Sequence, residues 1–330
     1  MANSKYDVTA IGNAIVDVLA HAEDKFLNDQ KLTKGAMSLI DPLTADRLYG
    51  LMNPGVEASG GSAANTVAGL AGLGGKAAFV GKVANDQLGQ VFTHDIRAVG
   101  VDFDTQPLTS GATTARCLIF VTPDAQRTMQ TFLGACVDLG PEDVEESKVA
   151  NSEVVYLEGY LFDPPRAKEA FFKASKIAKQ AGKKVSLSLS DPFCVGRYRA
   201  EFLDLIEHHV DILFANEEEI KSLYQVTDFD QALQKVRGHC EIAALTRSEK
   251  GSVVVKGDEV HVIDAEKVAK VVDTTGAGDA YAAGFLYGYT QGKGLRAAGK
   301  LGGMMAAEII SHYGARAESD LKQMAKKAFA

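Results

Sequence analysis

Apolar residues recur along this chain with two alternating periods. Short runs rich in Val, Ile, Ala and Phe read as strands at 6–12, 77–83, 154–157, 184–190, 211–215 and 242–246. Between them, apolar positions return every three to four residues. That spacing predicts helices at 44–52, 62–73, 87–99, 165–180, 198–208, 217–224 and 229–236. Strand-then-helix repetition of this kind buries both faces of a parallel sheet under helices. Further on, runs at 252–256 and 259–263 meet at Gly257-Asp258, a tight hairpin signature, and a β-branched stretch follows at 268–272. Helical patterns at 278–290, 295–312 and 319–329 close the chain.

One segment breaks the alternation. Two β-rich runs, 113–122 and 127–133, are separated only by Pro123-Asp124-Ala125-Gln126, and another short β-run lies at 36–40. They predict a small antiparallel sheet standing apart from the main body. The expected division is a large α/β unit of residues 1–14, 46–104 and 135–330 and a small β lid of residues 15–45 and 105–134. The fold class expected is α/β: three layers, α/β/α, around a mostly parallel sheet, with the lid beside it. A separate flap suits an enzyme that must keep water from a reactive donor.

Asp273-Thr274-Thr275-Gly276-Ala277-Gly278-Asp279 lies between the predicted strand at 268–272 and a predicted helix. Backbone N–H groups in a helix's first turn have no partners, and the helix dipole adds positive charge, so anions collect there. Two glycines let backbone close around such an anion. Asp279 then places a carboxylate beside it, which repels a phosphate unless the acid has work to do. Taking a proton from an attacking hydroxyl is such work, and it points to phosphoryl transfer to an alcohol. The plainer reading is a helix cap, since Asp is common in first turns.

A second glycine string, Ser59-Gly60-Gly61-Ser62-Ala63-Ala64-Asn65, opens the helix at 62–73. It allows backbone to come close to a ligand, or simply makes a strand-to-helix turn. Asn13 and Asp17 follow the first strand, and an acid in that apolar run faces solvent, caps a turn or binds something. Asn216-Glu217-Glu218-Glu219 stands at the carboxyl end of a strand, where acids also suit a helix start. Arg127 opens a flap strand, where a solvated surface arginine is an equal reading.

Composition removes whole classes of function. The net charge of −8 argues against nucleic acid or an anionic membrane as partner, since both call for a basic surface. No apolar stretch approaches the roughly 20 residues of a membrane span. The first residues lack the basic-then-apolar order of a secretory signal. Cys117, Cys136, Cys194 and Cys240 are widely spaced, which suits reduced thiols rather than a zinc site. A cytoplasmic enzyme is expected.

The string Asp273 to Asp279 resembles the C-terminal signature of the ribokinase-like (PfkB) family of sugar and nucleoside kinases. Gly60-Gly61 with Asn65 resembles that family's substrate signature, in the expected order. The likeness spans essentially the full chain and is greatest to the family's adenosine kinases. It implies ATP-dependent 5′-phosphorylation of adenosine to AMP, as in purine salvage, with Mg²⁺ and, in some relatives, K⁺. Asp279 would be the catalytic base, and the Gly276, Ala277 and Gly278 backbone would hold the γ-phosphate. Arg127 would reach the donor phosphates on closure.

On the substrate side the resemblance implies Asn13, Gly60, Gly61, Ser62 and Asn65, with Asp17 accepting from two vicinal hydroxyls. Met37, Cys117, Leu133 and Ala135 would form an apolar slot, with Tyr160 or Phe162 as a stacking ring. On the nucleotide side it implies Asn216, Glu219, Thr246, Gly251 and Thr274, with Ser248 standing where relatives carry a glycine. Glu219 would hold Mg²⁺ through water, and Asp273 a monovalent cation. A ribokinase- or fructokinase-type sugar kinase is the alternative in the same class, and a non-catalytic nucleotide-binding regulatory module the alternative outside it. A dinucleotide dehydrogenase is disfavoured, because no GxGxxG follows the first strand. Partners are therefore a small molecule and ATP, with the chain acting as monomer or dimer.

Overall fold

The strand-like runs of the first half pair side by side in a computed structural model that describes residues 4–124 and 126–330. In chain order the strands are β1 (Tyr6–Ile11), β2 (Ile15–His21), β3 (Met37–Leu39), β4 (Val56–Gly60), β5 (Ala77–Val80), β6 (Val101–Asp102) and β7 (Ala115–Val121). They continue as β8 (Arg127–Phe132), β9 (Ser152–Glu158), β10 (Lys184–Ser188), β11 (Ile212–Asn216), β12 (Ile242–Thr246), β13 (Ser252–Lys256) and β14 (Glu259–Ile263). Nine form one sheet, in the order β14-β13-β12-β11-β10-β9-β1-β5-β6. Pairing is parallel from β12 through β6 and antiparallel only at β12–β13 and β13–β14.

Side chains alternate across this sheet and feed two apolar layers. Val8, Ala10, Val154 and Tyr156 face one cluster, while Ile11, Val155 and Leu157 face the other. The first layer is closed by α3 (Ser62–Leu73), α4 (Gln87–Ala98), α10 (Ala277–Thr290), α11 (Leu295–Ile309) and α12 (Leu321–Ala328). The second is closed by α5 (Glu146–Ala150), α6 (Pro165–Gln180), α7 (Pro192–His208), α8 (Glu217–Tyr224) and α9 (Phe229–Val236). The fold is therefore ribokinase-like: a three-layer α/β/α body with a mostly parallel sheet, plus a smaller second sheet.

That smaller sheet has the order β3-β8-β7-β2-β4. It is mixed rather than antiparallel, because β2–β7 and β3–β8 run parallel while β2–β4 and β7–β8 run antiparallel. Its strands β2 and β4 are additions to the elements read from sequence. β2 shows strict alternation, with Val16, Val18 and Ala20 buried while Ile15, Asp17 and Leu19 lie on the other face. β4 draws on residues 56–60, outside the range assigned to the small unit. Two short helices, α1 (Asp24–Asp29) and α2 (Pro42–Leu51), connect the strands. Ala125, within the expected turn before β8, lies outside the described residues, as do residues 1–3.

Two expected elements differ. The β-branched stretch at 268–272 makes no strand; it runs irregularly past the end of α11, with the Val272 N–H donating to the Ile310 carbonyl at 2.8 Å. Helix α7 begins at Pro192 rather than 198, because Asp191 caps it through the Cys194 N–H at 2.8 Å. It then kinks at Tyr198, whose ψ is 26°.

The packing of α3 on α10 sets the site. Both are rich in Ala and Gly, so their axes approach closely: a Cβ added at Gly69 would stand only 3.0 Å from the Ala283 Cβ. The N-termini of both helices consequently meet at the same end of the sheet.

Candidate active site

At that meeting point Asp279, in the first turn of α10, receives two donors from the first turn of α3. The Ser62 hydroxyl donates to Oδ1 at 2.6 Å and the Asn65 amide to Oδ2 at 3.1 Å. The two glycine strings, more than 200 residues apart in the chain, therefore converge on one carboxylate. Burial raises the Asp279 pKa to about 6, while Ser62, Asn65 and Arg316 oppose the rise. The acid lines a cleft of about 710 Å³ between the large sheet and the small one.

Gly276 takes a left-handed φ of +78° as N-cap of α10, and a Cβ at Gly278 would meet nothing within 4 Å. Among the described residues, the N–H groups of Gly276, Gly278 and Asp279 have no acceptor, whereas the Ala277 N–H donates to Thr274 at 3.2 Å. The open cradle is thus formed by three amides, of which Asp279's is one and Ala277's is not. Unpartnered amides at a helix N-terminus fit a phosphate group.

Asp17 projects from β2 into the same cleft. It accepts no hydrogen bond from the described residues, and burial raises its pKa to about 6, against the pull of Arg316 and Arg127. Gly60 makes room for it, and Gly61 makes room for the neighbouring Asn13 backbone. A Cβ at Gly60 would overlap the Asp17 carboxylate, and one at Gly61, whose φ is +95°, would overlap the Asn13 carbonyl. Asn13 Nδ2 in turn donates at 2.7 Å to Glu158, a fully buried acid that also accepts the Ala63 N–H at 2.8 Å. Burial pushes Glu158 up to about 7.

At the other end of the cleft, Asn216 and Glu219 form a reciprocal helix cap. The Glu219 N–H donates to Asn216 Oδ1 at 2.9 Å, while the Asn216 N–H and Nδ2 donate back at 2.9 and 2.7 Å. The helix-start reading of this acidic cluster is therefore realised, and Glu219 lines the cleft as well. Burial pushes its pKa to about 7. Thr246 and Thr274 line the same wall.

Not every expected residue reaches the cleft. Ala135 is fully buried and tied by its N–H to the Thr113 carbonyl at 2.9 Å. Phe162 stacks on Phe202 at 4.2 Å in the second apolar layer, which leaves Tyr160 as the ring at the cleft. Gly251, at φ +79°, turns the chain tightly against the end of β14. Ser248 accepts the left-handed φ of +50° where a glycine would sit without strain.

Arg127 crosses from β8 to the turn that precedes α10. Its Nη2 lies 2.8 Å from Asp273 Oδ2, an ion-pair distance, although the geometry is not that of an aligned hydrogen bond. Nε also has no acceptor among the described residues. Asp273 further accepts the Thr275 and Gly314 N–H groups, each at 3.1 Å. With a guanidinium already against it, this carboxylate does not fit a monovalent cation in this arrangement. Among the described residues no group of three or more His, Cys, Asp or Glu side chains could hold a metal ion, and no helix is long and apolar enough to cross a membrane.

Other cleft residues carried no sequence signal. Glu158, Ser190, Asp191, Phe193 and Arg197 line the wall opposite Met37, Leu39, Cys117 and Leu133. Ser190 adopts φ +69°, and Phe193 is 81% exposed, a large ring left facing the opening. A separate surface groove of about 790 Å³ between α4 and residues 103–107 contains none of the converging acids.

The chain matches the family described as pfkB family carbohydrate kinase over residues 45–322. The 5-dehydro-2-deoxygluconokinase of Halalkalibacterium halodurans is 31% identical over 265 residues, covering 77% of this chain and 80% of that protein. The ATP-dependent ribose-1-phosphate kinase of Halopiger xanaduensis is 33% identical over 238 residues, covering 70% and 73%. Among solved structures, an adenosine kinase from Sinorhizobium meliloti superposes with a TM-score of 0.92 at 55% identity over 98% of this chain and 100% of its own. A probable sugar kinase from Rhizobium etli CFN 42 gives 0.92 and 54% over 98% and 99%.

Proposed function

The chain belongs to the pfkB family of carbohydrate kinases, which are phosphotransferases, and from that premise we propose that it transfers the γ-phosphoryl group of ATP to the 5′-hydroxyl of adenosine. The observation that carries the reading is the doubly hydrogen-bonded Asp279 beside the free amides of α10. Asp279 takes the proton of the attacking hydroxyl, while Ser62 and Asn65 hold its two oxygens in line. The N–H groups of Gly276, Gly278 and Asp279 receive the oxygens of the transferred group. Asp17, enclosed and without a donor, accepts from the ribose 2′- and 3′-hydroxyls, and Asn13 and Gly61 complete that wall.

Arg127 and Thr274 flank the donor phosphates, and Thr246 lines the nucleotide end. Mg²⁺ fits at Glu219 through water, since a dication there would relieve a buried carboxylate that, among the described residues, accepts only from Asn216. Bound there, it would neutralise phosphate charge. The small sheet, at 15–45 and 105–134 with β4 added, acts as the lid.

Two observations favour a nucleoside over a free sugar. Met37, Leu39, Cys117, Leu133 and Phe193 give the cleft an apolar end suited to a purine face. The relationship to the Sinorhizobium meliloti adenosine kinase, at 55% identity, also supports it. A sugar acceptor remains the second reading, because curated relatives carry sugar-kinase names. A coupled ADP assay with adenosine, 2′-deoxyadenosine, ribose and fructose separates them. The expected result is a kcat/KM for adenosine at least roughly tenfold above every other acceptor, since the Asp17 contact to the 2′-hydroxyl is lost in the deoxy compound and the purine contacts are lost in the free sugars. Faster turnover of ribose or fructose would replace this reading with the sugar one.

A further inference from the structure

Arg316 belongs to no motif, yet its side chain reaches the space behind both acids of the cleft. Nη1 donates to the Ala64 carbonyl at 3.1 Å, and Nη2 donates to the Ser59 carbonyl at 3.0 Å and the Ser59 hydroxyl at 2.9 Å. All three acceptors are neutral, and among the described residues no carboxylate oxygen lies within 4 Å of the guanidinium. Its remaining face borders a cavity of about 390 Å³ that Asn65 and Ala280 also line. A partly buried cation without a contacting counter-ion still carries a desolvation cost, so a benefit elsewhere is required.

That benefit is visible in the chain of contacts. Ser59 is the penultimate residue of the lid strand β4, with its N–H donating to Asp95 of α4 at 3.1 Å. Ala64 lies in the first turn of α3, between Ser62 and Asn65, which hold Asp279. One planar guanidinium therefore joins the lid's last strand to the turn that orients the base. Its charge also opposes the desolvation of both Asp17 and Asp279.

Resting on the phosphotransfer reading above, we propose that Arg316 is a positioning residue for that step: it locks β4 to the first turn of α3 and supplies the positive charge that lets two acids, Asp17 and Asp279, share one cleft. Two acids this near would otherwise raise one another's proton affinity, and a protonated Asp279 cannot act as base. Other groups contribute fields of their own. Asp279 faces Tyr156 and Glu158 on β9, Tyr160 just beyond, and Glu219 on α8. Asp17 faces Asp279, Cys117 on β7 and Arg127 on β8. Asp95 faces Arg316 itself. Burial keeps Tyr156, Tyr160 and Cys117 neutral, and Arg127 acts on Asp17 and Cys117, whereas the carboxyls of Asp17, Glu158 and Glu219 each gain proton affinity from the Asp279 charge. Arg316 stands opposite them.

The test is the pH dependence of kcat for the full chain, with whichever acceptor supports turnover, in the parent and in Arg316→Met, Arg316→Gln and Arg316→Lys. Removing the charge is expected to move the acidic limb upward by about one pH unit, so that a loss of roughly tenfold near pH 6 shrinks toward pH 9. Lysine is expected to keep the limb near the parent position while lowering kcat uniformly, because it lacks the planar fork. Should the methionine variant fail to fold, glutamine keeps a donor for Ser59 or Ala64 and discards only the charge. A limb that stays put in an active neutral variant overturns the proposal and leaves Arg316 a purely structural tie. Phosphoryl transfer that survives unchanged in Asp279→Asn instead overturns the reading of the site itself. A parent silent with every acceptor overturns both.

Discussion

Burial pushes the Asp279 carboxyl up to about 6, while the Ser62 hydroxyl and the Asn65 amide pull the other way. That places its titration just below neutral pH, where a general base is useful. In Asp279→Asn, kcat is expected to fall by roughly 10²-fold or more with adenosine affinity nearly unchanged. The same shift has a stability sign. The folded-state value exceeds the unfolded value of about 4, so the folded form holds this proton more tightly. Stability from this group is therefore fully present below about pH 4 and lost as pH rises through about 6. The asparagine variant should melt above the parent at pH 8, with the advantage shrinking toward pH 5. The shift alone corresponds to about 3 kcal/mol, and the cleft's opening to water reduces it to the order of 1 kcal/mol. Thermal melts at the two pH values check this, and an asparagine variant that melts lower at pH 8 would contradict it.

At the scale of elements, two glycine-rich helix starts serve different ends, and substitution separates them. Gly61 enters α3 at φ +95° with the Asn13 carbonyl against the place of a Cβ. Gly61→Ala therefore meets backbone strain and a clash, and should cost about 1–3 kcal/mol of stability along with activity. Gly278 has open space instead. Gly278→Ala should melt within a degree or two of the parent while losing affinity for ATP, because its methyl group enters the amide cradle. Melting curves and ATP KM values decide between these outcomes, and equal behaviour of the two variants would refute the distinction. The same contrast explains what was legible in the sequence. Ser62, Asn65 and Asp279 sit in short contiguous strings whose local geometry is dictated by glycine. Glu158 and Arg316 act through long-range contacts, such as those 95 and 257 residues distant to Ala63 and Ser59, and no local pattern marks them. Strand β2 was obscured because its cleft-facing acid interrupts an otherwise apolar run. The 268–272 stretch has strand-like composition but meets the end of α11 instead of a strand partner, so tertiary context overrode propensity.

The whole molecule is two sheets with a cleft between them, and Arg127 spans it. Its side chain is 8% exposed and that of Asp273 6%, so the pair that joins β8 to the turn before α10 is shut away from water. Two guanidinium nitrogens nevertheless have no aligned acceptor among the described residues. A buried guanidinium in that condition is an incomplete site, and the phosphate proposed for the α10 amides would supply the missing acceptors. ATP should therefore draw the small sheet onto the body, and hydrogen exchange in β8 and in residues 273–276 should slow when ATP is added. Arg127→Met removes the bridge and leaves Asp273, among the described residues, with only the Thr275 and Gly314 amides. That variant should raise the ATP KM by roughly tenfold or more, the scale of a lost charge-assisted contact. It should also abolish the ATP-induced slowing in β8. Adenosine, for which Asp17 is the proposed anchor, should bind with nearly parental affinity. If exchange in β8 still slows with ATP in the methionine variant, closure is driven from elsewhere in the cleft, and Arg127 is only a buried strut.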